Sequence, residues 1–187
     1  MRRFVLTGTP GAGKTSILRG LAKRGYAVVG EAATDIVSRR LIDGEAQPWS
    51  RASFIDEIVA EQRLRQVAGA PPGEVQIFDR SPVCTHALAV HLGLPITRSL
   101  AEELDRIAAE RVYQRQVFIV RNLGFCEPTT ARRISFQDAL EFERIHEHSY
   151  RTFGYELIDI PADRLDRRIA AVHETVSRIA TGRRAGR

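Results

Sequence analysis

Lysine is nearly missing from this chain of 187 residues: of its 28 basic side chains, 26 are arginine, and Lys14 and Lys23 are the two exceptions. Cysteine is equally scarce. Cys84 and Cys126 share no CxxC spacing, which argues against a disulfide frame or a zinc site and predicts a reducing, cytoplasmic setting. No stretch approaches the roughly 18 apolar residues of a membrane span. The opening MRRFVLTG has two arginines but no long apolar run, so neither a secretory signal nor a membrane partner is expected. The net charge of +5 and a pI near 9.7 would suit nucleic acid, small polyphosphates or a merely solvated arginine surface. Aromatic and basic residues are not interleaved as in RNA-binding modules, so nucleic acid is not expected as a partner.

What is present is a regular alternation. Residues 4–8, 27–30, 75–79, 116–121 and 155–160 are short apolar runs, as expected of strands covered on both faces. Helical signals lie near 14–24, 34–43, 51–68, 83–92, 98–112, 136–152 and 163–180. Ser53-x-x-Asp56, Ser99-x-x-Glu102 and Ser135-x-x-Asp138 fit a capping box loosely. The expected architecture is a doubly wound α/β fold, with a five-stranded parallel sheet between two helical layers. One domain is expected over residues 1–180, with a frayed basic tail at 181–187.

The segment Gly8-Thr9-Pro10-Gly11-Ala12-Gly13-Lys14-Thr15-Ser16 follows the first strand and opens the first helix. It matches G-x-x-x-x-G-K-[ST] at every fixed position and in the required context, that of a P-loop NTPase. The glycines let consecutive N–H groups turn inward around an anion, and the helix adds the positive end of its dipole. Lys14 is expected at the β- and γ-phosphates, and Thr15 on Mg²⁺. A chain that has otherwise replaced lysine by arginine keeps a compact ammonium here, which the planar guanidinium does not imitate. The guanine-reading motif N-K-x-D cannot be written around Lys14 or Lys23, so ATP is the expected nucleotide.

Open α/β sheets bind ligands beyond the carboxyl ends of their strands. Two acids follow strands there. Glu31, in GEAATD, is a candidate general base, and Asp79, ending VQIFD, a candidate Mg²⁺ partner. Each could instead be an acid serving a helix start. Asp159 is a rival placed after the last strand, where a metal role is less expected. Trp49 suits a packing anchor better than a stacking platform. The stripe Phe136, Ala139, Leu140, Phe142, Ile145, Tyr150, Phe153 reads as core. His146-Glu-His148 lacks an i,i+4 histidine pair and reads as solvated, so no metal is expected beyond that carried by the nucleotide.

The loop GTPGAGKT, the triplet DRS at 79–81 and the small size resemble the P-loop kinases, especially deoxynucleoside and nicotinamide riboside kinases. Over nearly its whole length the chain is similar to small AAA-like predicted ATPases. The stretches that carry this likeness are GEAATDIV at 30–37, FDRSP at 78–82, and residues 132–161. The resemblance implies that Glu31 is the base toward an acceptor hydroxyl, that Asp79 supports the metal and that Arg80 contacts the acceptor. It also implies a helical lid at about 121–153, whose Arg121, Arg132 and Arg133 reach the transferred phosphate, and a loop at 161–164 against the adenine. The long segment RNLGFCEPTTARRIS departs from the tight arginine spacing of nucleoside kinases and leaves open which arginine does so. The function this implies is a kinase using ATP and Mg²⁺ on a hydroxyl of a small nucleoside-like metabolite. The alternative is an ATP-dependent switch with weak ATPase activity acting through a protein partner. A motor with a glutamate-activated water is disfavoured by the lack of a Walker-B Asp-Glu pair.

Overall fold

The computed structural model describes residues 1–67, 75–124 and 135–182. Five strands form one parallel sheet: β1 (Arg2–Thr7), β2 (Ala27–Val29), β3 (Val75–Asp79), β4 (Gln116–Val120) and β5 (Glu156–Ile160), in the order β2-β3-β1-β4-β5. Seven α-helices are found among the described residues: α1 (Lys14–Ala22), α2 (Ala32–Ile42), α3 (Phe54–Val67), α4 (Pro82–His91), α5 (Arg98–Ala109), α6 (Phe136–Thr152) and α7 (Leu165–Ala180). This is the doubly wound α/β arrangement that the alternation of apolar runs predicts.

Neighbouring residues of each strand serve opposite cores, which is why the runs are apolar throughout. Phe4, Leu6, Ile77, Phe118 and Val120 face α1 and α7, where they meet Ile17, Leu21, Val172 and Val176. Val5, Phe78 and Val117 face the other way, toward α3, α4, α5 and α6. Parallel sheets need this double cover. A smaller cluster joins Ile36 and Val37 of α2 to Phe54 and Ile58 of α3, with Trp49 packed against it. No helix among the described residues is long and apolar enough to cross a membrane.

The three capping signals have different outcomes. Ser135 and Asp138 form a capping box: the Ser135 hydroxyl accepts from the Asp138 N–H at 3.1 Å, and the Asp138 carboxylate accepts from the Ser135 N–H at 3.4 Å. Ser99 lies inside α5, whose cap is Thr97 two residues earlier. Ser53 donates its hydroxyl to Glu57 at 2.8 Å instead of accepting from the backbone.

An N-cap hydroxyl contributes about 1 kcal/mol. Ser135→Ala should therefore lower the thermal midpoint by about 2–4 °C, as read by differential scanning calorimetry. Ser99→Ala, which removes no cap, should leave it unchanged.

Candidate functional site

Register brings four candidate positions to one edge of the sheet. Leu6 of β1 lies beside Asp79 of β3, and Thr7 beside Ile119 of β4. Gly8, Glu31, Arg80 and Arg121 thus all stand just beyond strand carboxyl ends.

The phosphate loop is fixed by backbone sterics. Gly8, Gly11 and Gly13 have φ of 135°, 84° and 85°, a region closed to most side chains. A Cβ on Gly8 would stand 2.4 Å from the carbonyl oxygen of Val120. Only glycine lets the loop lie so close to β4. Lys14 folds back over its own loop and donates to the carbonyl oxygens of Gly8 and Thr9, at 2.9 Å each. Burial, together with the charge of nearby Arg80, lowers its pKa to about 8, although Asp79 and Glu31 pull the other way.

Arg80 is the hub of the opposite wall. It takes the left-handed conformation, φ 73°, rare for a residue with a Cβ. Its N–H donates to the Leu6 carbonyl at 3.0 Å, and its guanidinium is buried. One side forms an ion pair with Glu31, and the Nη1 donates to Nε2 of His146 at 3.1 Å. His146 in turn donates from Nδ1 to the Phe142 carbonyl at 2.8 Å, which fixes it as a neutral imidazole. Burial, reinforced by the charge of Arg80, lowers the His146 pKa to about 3. Burial alone would raise Glu31, but Arg80 and Lys14 outweigh it and hold its carboxyl at about 2.

Glu31 occupies the N-cap position of α2 without capping it. Its carboxylate accepts from the Thr34 hydroxyl at 2.8 Å and faces Arg80. The turn beneath is held from α3, where Arg65 donates to the Gly30 carbonyl at 2.9 Å and to Asp35 at 2.7 Å. Asp79 is the last residue of β3, buried beside Lys14. Ser81 precedes α4 but its hydroxyl is bonded to Tyr150 at 2.7 Å, so Arg80 and Ser81 are both tied to α6.

Between these walls lies a cavity of about 480 Å³, a size suited to a small metabolite. Its polar end is the phosphate loop with Lys14, Thr15, Glu31 and Arg80. Its far wall is apolar, with Val37, Phe54, Ile58, Leu88 and Phe142. Two polar groups interrupt that wall: Gln62 accepts from the Thr85 hydroxyl at 2.9 Å.

Other expectations meet a different structure. Arg121 lies at the end of β4 but is held by Glu143, Glu147 and Asp159, and is not among the residues lining the cavity. Asp159 thus partners an arginine. Arg132 and Arg133 lie outside the described residues, as does the rest of the expected lid between 125 and 134 and the tail from 183. His146 is fully buried, a correction to its reading as solvated. It shares the α6 face of Ala139, Phe142 and Tyr150, a spacing that could have revealed it. Phe142 is more than core, because it also lines the cavity, whereas Phe136 is exposed. Trp49 packs on the α2–α3 cluster and is not a cavity residue. Gln62 escaped notice because it continues the apolar face of Ile55, Ile58 and Val59.

A family model described as "AAA domain" matches residues 3–168. No match was found among the curated proteins. Among solved structures, deoxyadenosine kinase from M. mycoides with dCMP and dCDP bound superposes with a TM-score of 0.58 at 15% identity, covering 94% of this chain and 98% of that one. The same kinase with dATP gives 0.58 at 15% identity, over 95% and 100%. The NadR protein in complex with NAD and AMP-PNP gives 0.65 at 18% identity, covering all of this chain and 51% of that one. At these identities the likeness establishes a common three-layer α/β P-loop fold.

The depressed pKa values of His146 and Glu31 act on stability in the same direction. Unfolded His146 takes a proton below about 6.5 and the folded residue only near 3, so its contribution is present above 6.5 and lost as pH falls toward 3. Glu31 adds a further loss between 4.5 and about 2. By pH 5 the histidine contribution is about 2 kcal/mol. Urea denaturation at pH 7 and pH 5 should show that loss in the wild type, and His146→Gln should reduce it.

Proposed function

The chain belongs to the AAA domain family, and on that premise we propose that it is a phosphotransferase, moving the γ-phosphate of ATP to a hydroxyl of a small nucleoside-like metabolite. One observation carries the reading. The phosphate loop opens directly onto a cavity in which a carboxylate, Glu31, and a buried cation, Arg80, stand beside Lys14. A protein that only hydrolysed ATP would need room for a water, whereas this cavity has an apolar end fit for a ring system. The folds of deoxyadenosine kinase and NadR, proteins whose structures hold nucleotides, support the same reading.

In this mechanism the loop N–H groups, those of Thr9, Ala12 and Ser16 among them, cradle the phosphates, Pro10 shapes the loop without donating, and Lys14 bears on the β–γ region. Thr15 and Asp79 fit a hydrated Mg²⁺, one as hydroxyl ligand and one as carboxylate, and the ion would supply charge neutralisation on the phosphates. The acceptor lies with its ring against Phe142, Phe54 and Leu88, its polar edge toward Gln62, and its hydroxyl toward Glu31. The hydroxyl oxygen forms a bond to the γ-phosphorus, the bond from that phosphorus to the bridging oxygen breaks, and ADP leaves. The acceptor proton passes to Glu31. A carboxylate held at about 2 is a poor base toward a free alcohol, so it first orients the hydroxyl as hydrogen-bond acceptor. It takes the proton late, once the oxygen has bonded to phosphorus and become acidic, as a loose transition state permits. Arg80 holds Glu31 in place and contacts the acceptor oxygen; with Arg121 engaged by carboxylates, Arg132 and Arg133 are the lid candidates for the equatorial oxygens.

ADP release, measured with ATP and Mg²⁺ against a panel of nucleosides, pyridine nucleosides and sugars, tests this directly. One acceptor should stimulate release strongly, and Glu31→Gln should lower that rate about 10²–10⁴-fold while ATP affinity changes little. Tight ATP binding with no stimulation by any acceptor would overturn the kinase reading in favour of a switch.

Lys14 gives a second test. A bound polyphosphate favours the charged ammonium, so above pH 8 binding must take up a proton. ATP affinity by calorimetry should be flat from pH 6.5 to 7.5 and fall by up to about tenfold per unit above pH 8. Lys14→Met should bind more weakly and lose this slope.

A further inference from the structure

Arg168 belongs to none of the groups described so far. It stands in the first turns of α7 and is 3% exposed. Its Nη2 donates to the Arg121 carbonyl at 3.0 Å. Its Nε is buried without a hydrogen-bond partner among the described residues. No carboxylate among them pairs with it either: Asp163 acts from a distance and is engaged by Arg167 at 3.5 Å. Arg80, by contrast, is paired with Glu31. A buried guanidinium without an anion is costly, and structures keep one where an anion arrives.

Its position says which anion. A Cβ on Gly13 would stand 3.0 Å from Arg168 Nη1 and 3.8 Å from a methyl of Leu123. The guanidinium therefore lies against the phosphate loop itself, and it is not among the residues lining the acceptor cavity. Asn122, next to the carbonyl that Arg168 binds, also has a buried side-chain nitrogen without a partner among the described residues. Arg168 thus flanks the loop outside the lining of the acceptor cavity, and the residue after the carbonyl it binds carries a second unsatisfied donor. On the other side Lys14 adds a second cation, which donates to the Gly8 and Thr9 carbonyls.

We infer that Arg168 binds the non-transferred phosphates of the nucleotide, gripping them from α7 while Lys14 serves the phosphate nearest the acceptor. This rests on the reading of the loop as a nucleotide site. The phosphate chain would run from the cavity past Gly13 to Arg168, with Asn122 donating beside it. Because these phosphates stay with the product, Arg168 contributes to ADP binding as much as to ATP binding.

The test is calorimetry of ATP–Mg and ADP–Mg on the full chain, wild type against Arg168→Gln, with thermal unfolding of each free protein. Arg168→Gln keeps a donor for the Arg121 carbonyl and removes the charge. Affinity should fall about 10- to 100-fold for both nucleotides, as for a lost charge-assisted contact. The midpoint of the free protein should hold or rise, since an unpaired buried cation is gone. Arg168→Lys, which keeps a charge, should recover part of the affinity and guards against a variant that does not fold. Affinities within twofold of wild type, or a loss confined to ATP, overturn the assignment, as does a fallen midpoint with unchanged binding. If the wild type itself binds neither nucleotide, the phosphate-loop reading fails first and this inference with it.

Discussion

A buried guanidinium that must be neutralised holds the candidate site together. Arg80 cannot lie where it does without a carboxylate and an acceptor, and it draws both from distant parts of the chain: Glu31 from the start of α2 and His146 from α6. Its backbone N–H also extends the pairing of β3 with β1. Contacts from β1, the start of α2 and α6 converge on this one residue at the end of β3. The left-handed backbone at Arg80 is the strain that this convergence sustains, and such strain is commonly kept where it has a use.

The phosphate loop is set by a different physical cause, close approach. Gly8 passes so near the Val120 carbonyl that any side chain would collide with it. The loop therefore sits at the carboxyl end of the central strand, with β3 on one side and β4 on the other. Charge and sterics together make a site that is rich in positive potential before any ligand arrives. Lys14, Arg80 and Arg168 are buried cations around one loop, and Glu31 and Asp79 are the acids nearest to Lys14. The surplus suits a polyphosphate.

Arg121 illustrates how the same chemistry can be diverted. Its position after β4 suits a phosphate contact, yet Glu143, Glu147 and Asp159 surround it. Those acids come from α6 and β5, and nothing in the local sequence around Arg121 announces them. The sheet brings Asp159 beside Ile119, one residue before the end of β4. α6 carries Glu143 and Glu147 one turn apart on the same side.

The local sequence sufficed wherever the cause was local. Apolar runs of strand length separated by helical periodicities gave the parallel sheet, because each strand is buried on both faces. The spacing of three glycines before Lys14 and Thr15 gave the loop, because only that pattern permits the backbone curl. Glu31 and Asp79 were legible as acids at strand ends, though not their partners. Tertiary structure decided the rest. His146, Gln62 and Arg168 are polar residues on apolar helical faces, where periodicity reports burial but not what each side chain meets. Whether an arginine binds a carboxylate, a carbonyl or a ligand depends on groups brought from 22 to 66 residues away, and sequence distance carries no record of that.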